Sequence, residues 1–383
     1  MRMHRLLIAC AASLALAGCS SWNPLVALGL KSEPAHKPTP LAPITATVTP
    51  KAVWTTNVGK GGDFRLRPQV DGTRVYAAAA DGVVTLLDLD NGRVATRKEL
   101  KKKLSGGVSV GEGKVLLGTL KGEVIALDPE GNPAWTTSVA GEVIAPAAIS
   151  RGVVVVRTAD GRIFGLDAKD GKRKWVFQRP TPALLLRSEA GVLALSGDVV
   201  AGYPNGKLIA LDLDDGKLTW EVTVSLPRGA TELERIADVA GLPVVEGSTV
   251  CAAAYQGKVA CFDIQSRAAI WSRDLSTALG LARGPKHVYA IDDTGAVHAL
   301  DKASGTSVWK QDKLQYRRLI APVVANGFVV VGDLQGYIHV LSPDDGSIVG
   351  RLATDGTPVH ALVPLTDGLL VQTAGGTLAL VRF

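Results

Sequence analysis

Cysteine, methionine, histidine and aromatic residues are all scarce in this chain of 383 residues, with four Cys, two Met, six His and 5% aromatics. The cysteines, Cys10, Cys19, Cys251 and Cys261, are never adjacent, and no His or Cys falls at the short spacings of a zinc site. His4, His36, His287, His298, His339 and His360 are scattered, which excludes a metal centre built on a local motif. No Gly-x-Ser-x-Gly elbow and no phosphate loop occurs, so neither a serine hydrolase nor a nucleotide enzyme is indicated. Charge of one sign is missing too. The net +6 falls to +4 once Arg2 and Arg5 in the first 18 residues are set aside, too little and too dispersed for a nucleic-acid surface. No catalytic, metal or cofactor site emerges.

What is present is an apolar (46%), glycine-rich (42 Gly) chain with only 20% charged residues, the profile of a folded β-rich protein. Its first residues, "MRMHRLLIACAASLALAGCSS", place Arg2 and Arg5 before an apolar run ending at Ala17. That run is shorter than the ~20 residues a membrane helix needs, so 1–18 reads as an export signal. Leu16-Ala17-Gly18-Cys19 resembles the bacterial lipobox, which implies acylation of Cys19; with Ser20 next, it also implies delivery to the outer membrane. Several acyl chains, at ~0.8 kcal/mol per buried CH₂, make such an anchor effectively permanent. Residues 19–50 carry Pro24, Pro34, Pro38, Pro40, Pro43 and Pro50 without apolar periodicity, so a semi-extended tether is expected there.

From residue 51 a unit of about forty residues recurs. Its copies include "KGEVIALDPEGNPAW" (121–135), "DGRIFGLDAKDGKRKW" (160–175), "NGKLIALDLDDGKLTW" (205–220) and "TGAVHALDKASGTSVW" (294–309). The turn glycines are Gly82, Gly122, Gly161, Gly206, Gly257, Gly295, Gly336 and Gly376. Each X-Gly pair supplies a tight hairpin turn, and the alternating residues after it form a strand. A recurrent Asp (Asp88, Asp128, Asp167, Asp212, Asp263, Asp301) can end that strand by bonding turn amides. A second turn leads to an outer strand carrying Trp135, Trp175, Trp220, Trp271 or Trp309, expected to pack between neighbouring units. Two further apolar runs precede each X-Gly, and four strands per unit make a propeller blade.

The eighth copy stops at Phe383 after its third strand, and "KAVWTTNV" (51–58) supplies a fourth. The fold expected over 51–383 is all-β: an eight-bladed propeller of four-stranded antiparallel blades, closed by pairing of N- and C-terminal strands. Seven blades with an irregular extension is the alternative. Closure would hide the sheet edges that invite aggregation. A two-residue turn at Gln256-Gly257 would set Cys251 opposite Phe262 and Cys261 opposite Ala252, on different faces. The pair then reads as two buried thiols, with a disulfide as the less favoured alternative. His298 and His339 occupy related positions on third strands and read as packed or channel-lining, and "RKELKKK" (97–103) as a solvated outer strand or loop.

Function is expected where the repeat breaks. From tryptophan to the next turn glycine most intervals are 24 to 28 residues, but Trp175 to Gly206 takes 31 and Trp220 to Gly257 takes 37. The extra residues fall at 179–191, "RPTPALLLRSEAG", and 225–241, "SLPRGATELERIADVAG". Both connect the outer strand of one blade to the inner strand of the next, on the rim that carries the X-Gly hairpins. Lying on consecutive blades, they should form one composite surface. Leu184, Leu185, Leu186 and Arg187 suit a docking patch, arginine being enriched at binding hot spots. Arg235 and Asp238 can fix loop geometry or meet polar groups of a partner. The competing expectation buries the leucines as the first strand of a blade.

The pattern Ala-Leu-Asp…Gly-Lys…Trp resembles the repeats of quinoprotein dehydrogenases and, together with the lipobox, the tether and these loops, the BamB family of lipoproteins. Quinoprotein dehydrogenases often carry adjacent cysteines beneath a calcium-bound quinone; this chain has none, so a redox propeller is the lesser alternative. The BamB resemblance implies a non-enzymatic scaffold of the outer-membrane β-barrel assembly complex that needs no cofactor. It implies that Leu184, Leu186 and Arg187, with Asp238 on the next blade, contact periplasmic domains of BamA. It leaves Ala240 where the family carries a second acid. An adaptor lipoprotein of another periplasmic complex is the remaining alternative.

Overall fold

A computed structural model describes residues 36–195 and 197–383. The signal segment and Cys19 lie outside the described residues. From Pro38 to Phe383 the chain forms one compact unit. Its strands form eight antiparallel four-stranded sheets arranged as a ring of blades. Blades one to seven span 69–99, 106–138, 148–177, 193–223, 244–274, 282–311 and 323–353. In the eighth, the strands over 359–382 are completed by Lys51–Asn57, whose Lys51 pairs with Arg382 and Asn57 with Thr377. The seven-blade alternative is excluded.

The repeat's residues do what their chemistry suits. Asp88, Asp212 and Asp301 end third strands with a carboxylate oxygen accepting two following backbone N–H groups at 2.8–3.3 Å. In blade four the outer strand bulges between its pairings to Ala210 and Leu211, which sets Trp220 opposite Ala210. The indole of Trp175 donates to the Leu213 carbonyl of the next blade at 2.9 Å, and Trp54, Trp135, Trp271 and Trp309 repeat that bond at 2.8–3.0 Å. Under the Trp175 ring lies Gly216 at φ +72°, where a Cβ would fall 2.5 Å from the indole. One glycine thus meets two demands, a left-handed turn and ring contact. In blade five the equivalent left-handed position holds Arg267 (φ 61°), and among the described residues the indole of Trp220 makes no such bond.

Two expectations change. The X-Gly hairpins close over three residues, not two: Ala253 pairs with Val259 and the Ala254 N–H donates to the Lys258 carbonyl, leaving 255–257 as the turn. That one-residue shift sets Cys251 directly opposite Cys261, and the two form a buried disulfide. The reading as two separate thiols is therefore corrected. Second, the C-terminal part of the Pro-rich segment lies against the propeller. Thr39 exchanges backbone and side-chain bonds with Gln315 and Arg317, Arg351 donates to the Ala42 carbonyl, and Thr47 and Val48 bond Val349. Leu41 packs on the core between blades six and seven.

Candidate functional site

The two insertions occupy 178–192, before the short inner strand of blade four (Leu193–Ala194), and 224–243, before that of blade five (Val244–Glu246). They meet. Leu186 N–H donates to Asp238 Oδ2 at 2.7 Å, and Ser188 Oγ to the Ala240 carbonyl at 2.7 Å. Asp238 Oδ1 also accepts the N–H of Asn205, in the X-Gly hairpin of blade four, at 3.2 Å. One carboxylate therefore ties both insertions to that rim. The second insertion has its own brace, since Glu234 accepts the N–H groups of Ala230 and Thr231 while Thr231 Oγ1 accepts the Glu234 N–H.

This places the expected residues in two groups. Leu184 is exposed, Leu185 and Leu186 are half-buried, and Arg187 is exposed, its guanidinium 2.8 Å from Glu142 in the preceding blade connection. The leucines are not the inner strand of a blade. Arg235 is exposed as well. Asp238, by contrast, is 4% exposed and faces inward. Its carboxylate lies near the buried Arg157 at the end of a blade-three strand; burial lowers the Arg157 pKa, and Tyr203 and Asp238 oppose that shift. Asp238 thus fixes loop geometry. Ala240, also buried, offers only its carbonyl.

Sequence reasoning missed two residues here. Leu226 and Leu233, 63% and 66% exposed, are the most exposed large apolar side chains among the described residues, and both sit in the second insertion. Their setting in "SLPRGATELE", between Pro, Gly and charged residues with no alternation, was the available signal. Together with Leu184, Arg187 and Arg235 they put exposed apolar and cationic side chains on the two insertions.

His298 and His339 share one device, Nε2 to Asp292 at 2.9 Å and to Asp333 at 3.0 Å. Among the described residues no three His, Cys, Asp or Glu side chains are grouped to hold a metal ion.

A family model for the outer membrane protein assembly factor BamB matches residues 80–311. The chain belongs to the BamB family. The BamB of Bordetella pertussis is 38% identical over 371 residues, covering 96% of this chain and 94% of its own length. That of Nitrosomonas eutropha is 43% identical over 326 residues, 85% and 80% of the two chains. The crystal structure of BamB from Moraxella catarrhalis superposes with a TM-score of 0.81 at 29% identity, covering 88% of this chain and all of that one. A quinohemoprotein alcohol dehydrogenase from Comamonas testosteroni shares the fold alone, with a TM-score of 0.71 at 13% identity. The BamB relatives are named as assembly factors for outer membrane proteins.

Proposed function

We propose that the protein is a non-enzymatic scaffold, anchored by acylated Cys19 to the periplasmic face of the outer membrane, that binds BamA-like periplasmic domains and assists insertion of β-barrel proteins. Leu184, Leu186 and Arg187 supply the main contact, with Leu226, Leu233 and Arg235 extending it and Asp238 holding the loops in place. The observation that carries this reading is the junction of the two insertions, each of which bears exposed leucine and arginine side chains. Family membership supports the assembly role.

Arg187 is exposed and its ion pair with Glu142 is open to solvent, so replacing it should cost the fold little. Arg187→Glu is expected to abolish co-purification with the barrel-assembly complex while leaving thermal unfolding unchanged. A variant that still co-purifies would refute the assignment of this patch.

A further inference from the structure

Along the propeller axis runs an open cavity of about 700 Å³, within the size range of small-molecule sites. The first insertion forms part of its lining through Leu186, Arg187 and Glu189. Arg65, in the connection leading to blade one, reaches Glu189 at 3.5 Å, a solvent-exposed bridge worth little and easily opened. Its wall is largely apolar, with Leu242, Leu279, Ile320 and Leu362 among its residues, but four arginines also line it, Arg65, Arg67, Arg187 and Arg283. Among the described residues Glu189 is the single carboxylate in that lining.

The arginines differ in how they are neutralised. Arg65 meets Glu189, Arg187 meets Glu142 and Arg283 meets Glu246. Arg67 meets no carboxylate among the described residues. Among the described residues its guanidinium makes one hydrogen bond, from Nη2 to the neutral carbonyl of Leu362 at 3.2 Å, and its Nε, shielded from solvent, has no acceptor. Nε and Nη1 of Arg283 are likewise buried and unbonded. A guanidinium in a poorly solvated place without a counter-charge is costly, and an entering anion removes that cost.

We propose that this channel is a binding site for a carboxylate carried on an apolar body, with Arg67 as its principal partner and Arg65 and Arg283 flanking it. The planar guanidinium fork matches a carboxylate, and the apolar wall accepts the remainder of the ligand. The carboxylate can belong to a free small molecule or to an acidic side chain or chain end of a protein docked on the rim.

Isothermal titration of the full chain with naphthoate is expected to show saturable one-to-one binding. Naphthamide, the same ring without the charge, should bind at least roughly tenfold more weakly, the scale of one charge-assisted hydrogen bond. Arg67→Gln should weaken naphthoate binding by a similar factor and leave naphthamide unaffected. No saturable binding of naphthoate, equal binding of the two probes, or undiminished naphthoate binding by Arg67→Gln overturns the proposal. If that variant does not fold, the comparison of probes on the native chain decides. The titration contains no partner protein, so its outcome stands apart from the docking reading. With naphthoate binding weakened in Arg67→Gln, undiminished co-purification assigns the site to a free carboxylate, and reduced co-purification to one supplied by the docked protein.

Discussion

The carboxylate of Asp238 accepts the backbone N–H of Leu186 at 2.7 Å, so the loop of one blade is held by the loop of the next. Asp238→Ala removes the acceptor of two backbone N–H groups and the counter-charge near Arg157. It should lower stability by about 2–3 kcal/mol in chemical denaturation. Hydrogen exchange at the Leu186 amide should accelerate in parallel; an unchanged rate would show that Asp238 does not pin the loop.

The Cys251–Cys261 bond closes a short loop within one hairpin of blade five. Replacing both cysteines with alanine should cost roughly 2–3 kcal/mol, the chain-entropy scale for such a loop. The intact mass of the unreduced protein should be lower by two hydrogens than that of the reduced form, and neither thiol should react with maleimide before reduction.

Trp175 and Gly216 form one contact between blades three and four. Trp175→Phe should destabilise by about 1–3 kcal/mol through the unmet carbonyl of Leu213. Gly216→Ala should cost at least about 1 kcal/mol, since it sets a methyl against the indole and opposes a positive φ. At Arg267, where no glycine serves Trp220, Arg267→Ala should change stability by no more than about 0.5 kcal/mol.

Acid should loosen blade seven. Burial, with Arg351 and Arg317 nearby, holds the pKa of His339 below its ordinary value, although Asp333 draws it up. Burial opposes ionisation of Asp333, yet bonds from His339, the Tyr337 amide and Arg317 hold its pKa below the usual range. Both folded values lie below the unfolded ones. The His339 contribution is therefore complete above about pH 6.5 and lost as pH falls through its folded value; that of Asp333 is complete above about pH 3.9 and lost at still lower pH. Thermal unfolding should shift to lower temperature on acidification from neutrality, and His339→Gln should flatten the first part of that slope. An identical slope in the variant would assign the effect to other groups.

Much of this architecture is written in local chemistry. The turn glycines, the strand-ending aspartates and the tryptophan positions each act within one blade or against the next, so their period announces the ring. Ring closure was legible as well, because "KAVWTTNV" lacks companions of its own and the last copy lacks a strand. The disulfide was not, because it depends on one residue of turn length, and the face of every side chain in that strand follows. Nor was the docking of 39–48, whose bonds run mainly from the backbone to side chains and carbonyls nearly three hundred positions away. At the candidate site the loops and Arg187 stood out as departures from the repeat. The inward turn of Asp238 did not, because an acid in a loop reads the same whether it faces a partner or a backbone amide.

Pairing of Lys51–Asn57 with Thr377–Arg382 has a bearing on how the molecule comes into being. The first strand of the folded unit gains its neighbour only when Thr377–Arg382 exist, so every nascent or clipped form that lacks them carries two unsatisfied sheet margins. Contacts of such sequence separation are slow to form. Loss of even a few residues before Phe383 should therefore leave an unlatched species prone to self-association, although seven of its sheets remain complete.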